Sequence, residues 1–245
     1  MRICTFTVFL LFSLAFQSFG QNIAVTEATV TEAKETAYPI AMYKEATSQS
    51  QNLYNGRQYY VYDNRSEEHQ FFEFRKWHNG VIMYDGQRFD SIPMVYDIFK
   101  DELIIKHFNG DHILLQSEKV DYFKVDNHTF VRYEAGKDIN EQMRTGFYDV
   151  LYEGKSRTIV RRSKQRQEKI VDKSVIALYP QKNNFYIRKG DRYYNVSSKK
   201  STLNLFPEYK KELRKVLKDQ KIKFRKNREV AIVTIVDTYD KLAKQ

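Results

Sequence analysis

Cysteine is all but missing from this chain, with Cys4 the only one in 245 residues. Beyond residue 20 there is none, which excludes a disulfide, a thiol nucleophile or a cysteine-held metal in that part. An exported eukaryotic domain would more often carry disulfides, so a bacterial periplasm or envelope is the better match. Long apolar runs are missing too: past the N-terminus no stretch approaches the roughly 18–20 residues that span a bilayer. Proline is scarce, at four residues.

The usual marks of catalysis are also missing. There is no Gly-x-Ser-x-Gly turn, no Ser-x-x-Lys leading into a helix and no glycine-rich phosphate loop. Glu67-Glu68 and Asp101-Glu102 are acidic pairs, but spacing alone does not set two carboxylates across a glycosidic bond. All five histidines (His69, His78, His107, His112 and His128) fall between residues 69 and 128. No two of them stand at i, i+2 on a strand or i, i+4 on a helix, the spacings that put two imidazoles on one face. Surface or turn histidines are expected, with no metal, no cofactor and no catalytic residue.

What is present begins with a targeting pattern. Arg2 is followed by an uncharged, mostly apolar core over 4–16, and Ser18-Phe19-Gly20 places small residues before a cut ahead of Gln21. This is the three-part form of a secretory signal peptide, assigned to 1–20. Residues 21–38, with VTEAT followed by VTEAK, are polar and small and predict a linker or frayed arm. A short helix is expected over 39–51.

From residue 54 turn signals recur. Asn55-Gly56, Asn79-Gly80, Asp85-Gly86 and Asn109-Gly110 are Asx-Gly pairs, suited to two-residue hairpin turns because both residues accept positive φ. Aromatic and β-branched runs between them predict strands at 58–62, 71–76, 81–84, 94–98, 103–108, 112–116, 120–125 and 129–133. Residues 145–164, TGFYDVLYEGKSRTIVRRSK, alternate with period two and predict a hairpin turning at Glu153-Gly154. Further strands are expected at 175–179, 185–188 and 193–196. Gly-x-x-aromatic occurs at Gly56–Tyr59, Gly86–Phe89 and Gly190–Tyr193, which reads as turn glycine, outward polar pair and inward aromatic. Phe206, Tyr209, Leu213, Val216 and Leu217 then recur at helical spacing after Pro207. A second helix is expected after Asn227, with Ile232, Ile235, Val236, Tyr239 and Leu242 as its apolar stripe.

The predicted fold is α+β: an extensive antiparallel β-sheet over 39–200, curled, barrel-like or split into two packed sheets, then a C-terminal helical hairpin over 201–245 packed on it. Charge divides the same chain unevenly. Residues 21–150 carry a net −7 and residues 151–245 a net +16. The basic side chains fall into two groups. One follows the central turn, with Lys155, Arg157, Arg161, Arg162, Lys164, Arg166 and Lys169. The other spans the first helix and its connector, with Lys210, Lys211, Arg214, Lys215, Lys218, Lys221, Lys223, Arg225, Lys226 and Arg228. A surface built from them would attract polyanions; the alternative is a face neutralised by the acidic half of the same molecule. Arg157, Arg161, Arg162, Lys164, Arg166, Lys211, Arg214 and Lys215 are the candidate anion-binding residues. The partner would be an anionic envelope component or an acidic protein, since the secretory signal argues against nucleic acid.

Four stretches carry a family resemblance: LYNGRQY (53–59), 145–164, YYNVSSKKSTLNLF (193–206) and FRKNREVAIVTIVDTYDKL (224–242). Together they resemble a family of exported Bacteroidetes proteins of unestablished function, over about 38–242. The resemblance implies export and a bacterial source and supplies no catalytic residues. The expected function is a non-catalytic binding or structural protein of the cell envelope; the alternative is an envelope hydrolase acting on a glycan or lipid.

Overall fold

The computed structural model describes residues 52–63 and 67–243. The expected signal peptide, the arm over 21–38 and the helix over 39–51 lie outside them.

The strands are β1 (Arg57–Gln58), β2 (His78–Tyr84), β3 (Gln87–Asp97), β4 (Glu102–Lys106), β5 (His112–Leu114), β6 (Val120–Val125), β7 (His128–Tyr133), β8 (Gly146–Glu153), β9 (Arg157–Lys164), β10 (Gln167–Val171), β11 (Ser174–Leu178), β12 (Gln181–Lys189) and β13 (Arg192–Val196). Eleven of them form one sheet in the order β1-β5-β4-β3-β2-β6-β7-β8-β9-β12-β13, while β10 and β11 pair apart as a ribbon. Every ladder is antiparallel. β1 and β13 are the two edges, so the sheet is not closed into a barrel.

One of the four Asx-Gly pairs makes the two-residue hairpin turn expected of it: Asp85 and Gly86, at φ 51° and 72°, join β2 to β3. Asn109-Gly110 lies in the longer connection 107–111 between β4 and β5, with only its glycine at positive φ, 94°. Asn79-Gly80 sits inside β2 instead. A Cβ on Gly80 would meet the Lys124 carbonyl at 2.2 Å and the Met94 methyl at 2.6 Å, so this glycine serves close approach between strands. The expected strand over 71–76 is irregular apart from one bridge, Phe71 to Asp97. Around that bridge the Phe72 amide donates to the Tyr96 carbonyl at 2.8 Å and the Ile98 amide to the Gln70 carbonyl at 3.1 Å, but no longer ladder follows.

The three aromatics of the Gly-x-x-aromatic triplets, Tyr59, Phe89 and Tyr193, are all buried. Alternation along β7 and β8 divides the interior into distinct cores. Phe130 and Phe147 point into the main core with Ile82, Met94, Tyr96 and Phe123. Val131 and Tyr148 point the other way, into a smaller core with Ile139, Met143, Ile159 and Tyr193.

The C-terminal helices are α1 (Lys199–Asn204), α2 (Lys210–Asp219) and α3 (Arg228–Leu242). α1 was not expected; Ser198 caps it, with Ser201 returning the hydrogen bond, and this reciprocal pair stabilises so short a helix. Leu213 and Leu217 of α2 and Ile232, Ile235 and Val236 of α3 bury against Val160, Phe185 and Ile187 of the sheet. Each such side chain contributes on the order of 1.5–3 kcal/mol when fully buried. α3 is also tied to the β8–β9 turn by Asp240, whose Oδ2 accepts from the Ser156 amide at 2.8 Å and the Tyr152 hydroxyl at 3.2 Å.

Candidate anion-binding surface

β9 is covered on both sides, so its alternating side chains have no solvent face to choose. Val160 enters the core under the helices and Ile159 the core on the opposite side. Arg162 follows Val160, and Arg161 follows Ile159. Both guanidiniums are therefore carried inward, at 7% exposure for Arg161 and 6% for Arg162.

Charge buried this far must be paired. Arg162 donates from Nε and Nη2 to one oxygen of Asp149, at 2.8 and 2.6 Å, and from Nη1 to Glu229 at 2.8 Å. Its guanidinium lies 5.4 Å from the centre of the Phe72 ring. Arg161 donates to Asp101 at 2.9 Å and stacks over Tyr148. Burial, as the main cause, pushes the Tyr148 hydroxyl up to about 12. Gly146 makes room for the Arg161–Asp101 pair, because a Cβ there would fall 1.9 Å from the Asp101 carboxylate.

Arg157, Lys164 and Arg166 are also engaged within the chain. Arg157 pairs with Glu153 and donates to the Tyr133 hydroxyl at 3.0 Å. Lys164 Nζ donates to the carbonyls of His69 and Phe71 at 2.6 and 2.7 Å, which pins the irregular segment to the sheet. Arg166 reaches Asp63 and Glu168, both at 2.6 Å. Arg161 and Arg162 thus do not form the outward anion-binding face expected of them. They neutralise Asp101 and Asp149 from the acidic half of the chain, and strand periodicity could not reveal that both sides of β9 are covered.

Asp149 is the centre of a larger buried network. The oxygen that accepts from Arg162 also faces His128 Nδ1 at 2.6 Å. His128 Nε2 faces Glu73 at 3.5 Å, and Phe72 stands edge-on to the imidazole. A carboxylate that orients a histidine can prepare a general base. Here Arg162 shares the carboxylate and the segment carrying Phe72 and Glu73 covers the ring, so the arrangement binds elements together. Among the described residues no group of three His, Cys, Asp or Glu side chains could hold a metal ion.

The second basic group lies differently. Lys211, Arg214 and Lys215 are exposed on the outer side of α2, opposite Leu213 and Leu217. They make no ion pair with any described residue. Beyond α2, a cleft of about 450 Å³ runs between the start of β12 and the start of α3. Gln181, Asn183 and Phe185 line one side; Arg225, Lys226 and Arg228 line the other. Arg228 lies 6.0 Å from the Phe185 ring, while Arg225 and Lys226 are exposed and unpaired among the described residues. The run of basic residues around 225 was visible in the sequence, but its place beside β12 was not.

No family model, no curated protein and no solved structure matches the chain.

Proposed function

We propose that the protein is an exported, non-catalytic binding component of a bacterial cell envelope, whose basic surface on α2 and the α2–α3 connector meets an anionic partner. One observation carries this reading. Arg157, Arg161, Arg162, Lys164 and Arg166 are committed to internal acceptors, whereas the cations from Lys211 to Lys226 stand exposed with no acidic partner among the described residues. Unpaired cations concentrated on one helix and its connector create a positive field over that surface. Export is supported by the secretory pattern over 1–20 and by the resemblance to exported Bacteroidetes proteins.

Salt-dependent retention on an anionic matrix tests the proposal. The chain is expected to elute well above low salt, and Lys211→Ser/Arg214→Ser/Lys215→Ser to elute distinctly earlier with its thermal unfolding unchanged. Elution of the parent protein at low salt, unaltered by the triple substitution, would overturn it.

A further inference from the structure

The β10–β11 ribbon leaves the sheet just beyond the rung where Lys164 pairs with Gln181, and among the described residues its strands form a ladder only with each other. All five residues of β10 are exposed. At the outer end Ile170 faces Val175 across the ladder, at 74% and 63% exposure. Val171 adds an apolar side chain on the other face, and Asp172 and Lys173, both at positive φ, close the turn. A two-stranded ribbon without a third strand or a packed helix is marginal in water. A tip of β-branched aliphatic side chains gains nothing for solubility.

The cleft rimmed by Arg225, Lys226 and Arg228 begins on Gln181, at the base of this ribbon. Val175 stands six positions before Gln181, so the tip and the near edge of the cleft are at most about 22 Å apart. Val230, 55% exposed, lies on the same cleft. On the ribbon itself Glu168 is neutralised by Arg166, leaving Lys169 and Lys173 against Asp172. An apolar projection with unpaired cations set back from it matches the layering of an anionic bilayer surface, where phosphates lie outside the acyl chains. Neither feature alone would hold a protein there, because stable attachment takes an apolar anchor and a polybasic patch together.

We propose that this end of the molecule docks on an anionic lipid leaflet, with the Ile170–Val175 tip entering the headgroup–acyl boundary and Arg225, Lys226 and Arg228 engaging lipid phosphates. The inference rests on the anion-binding function above and names its partner as lipid.

Co-sedimentation of the exported chain with vesicles of phosphatidylglycerol mixed with phosphatidylcholine, against phosphatidylcholine alone, tests it. Binding is expected to the mixed vesicles only. Ile170→Asp/Val175→Asp should lower partitioning about tenfold. Arg225→Ser/Lys226→Ser/Arg228→Ser should lower it about a hundredfold and flatten its salt dependence. Val175→Cys, carrying an environment-sensitive fluorophore, should shift to shorter wavelength when mixed vesicles are added. All these side chains lie on the surface, so the cores remain intact in the variants. Unchanged partitioning of the aspartate variant, together with unshifted emission, overturns tip insertion and leaves the anion-binding function standing. Retention on an anionic matrix without vesicle binding overturns the lipid partner in favour of an acidic protein. Loss of both overturns both proposals.

Discussion

Arg162 places two nitrogens on a single oxygen of Asp149, at 2.8 and 2.6 Å, and both side chains are buried. Asp149 stands across from Phe130 in one ladder and from Val160 in the next. Phe130 belongs to the main core and Val160 to the core under the helices. The pair therefore sits between two apolar clusters on one face of the sheet and joins the acidic half of the chain to the basic half.

Removing one partner takes away the closest counter-charge of the other, leaving Asp149 only His128 or Arg162 only Glu229. Arg162→Met leaves the Asp149 carboxylate buried without its guanidinium, which costs on the order of 3–5 kcal/mol. Asp149→Leu combined with Arg162→Met should recover most of that loss, because an apolar pair of similar volume is often tolerated. Equilibrium unfolding in urea reads both. A single variant within 1 kcal/mol of the parent, on the scale of an exposed pair, would mean that water compensates the carboxylate.

The same network makes stability depend on pH. The hydrogen bond to Asp149 holds the His128 pKa above its ordinary 6.5, against burial and the nearby Arg162, with the charges of Asp149 and Glu73 adding to the rise. A folded pKa above the unfolded one means that the stabilisation is fully present below the unfolded value. It is lost as pH rises through the folded value. The stability difference between the parent protein and His128→Gln should therefore be largest near about pH 5.5 and shrink toward about pH 8.5. A difference that grows over that range would show that the neutral imidazole is the form bound.

Gly146 is a test of how tightly the Arg161–Asp101 pair is fitted. Its φ is +144°, and a Cβ would lie 1.9 Å from the Asp101 carboxylate and 2.7 Å from Arg161 Nη1. Gly146→Ala should combine backbone strain with a displaced buried ion pair and cost more than about 3 kcal/mol. Gly86→Ala, at φ +72° in an open turn with nothing within 4 Å, should cost only about 1–2 kcal/mol. Comparable unfolding midpoints for the two variants would show that the pair shifts freely.

The sheet was legible wherever one local rule decided it. Period-two alternation over 145–164 placed β8 and β9, and the apolar stripes of Leu213 with Leu217 and of Ile232 with Ile235 placed α2 and α3. The rule failed where tertiary contact overrode it. Asn79-Gly80 resembles a turn, yet its glycine is required by the approach of Lys124 and Met94 within the sheet. The aromatic run after Phe71 resembles a strand, yet Lys164 takes the His69 and Phe71 carbonyls in place of a ladder partner. The α1 helix did have a local signal, the Ser198 and Ser201 pair three residues apart. Charge was the least legible property. A basic residue on a strand looks the same whether it meets solvent or a carboxylate brought from sixty residues away, as Asp101 is brought to Arg161.

Asp97 offers a finer test of how the segments outside the ladders are held. It is fully buried and accepts four hydrogen bonds: the hydroxyls of Tyr59 and Tyr62 on Oδ2, at 2.8 and 2.6 Å, and the amides of Phe99 and Lys100 on Oδ1, at 2.9 and 3.0 Å. Burial and this carboxylate together push the Tyr59 and Tyr62 hydroxyls well above the ordinary tyrosine range. The two pairs of donors differ in what they can adapt to. An amide of the β3–β4 turn can only donate, whereas a tyrosine hydroxyl can rotate and accept. Asp97→Asn should therefore settle with its oxygen on the turn amides and its NH2 toward the hydroxyls, losing about 1–3 kcal/mol of charge-assisted bonding. Asp97→Ala leaves both amides and both hydroxyls without this acceptor and should cost about 3–5 kcal/mol. Hydrogen exchange separates the two: the Phe99 and Lys100 amides should exchange faster in the alanine variant and stay protected in the asparagine variant. Equal exchange in both would show that the turn is held by its backbone alone, with Asp97 serving only the tyrosines.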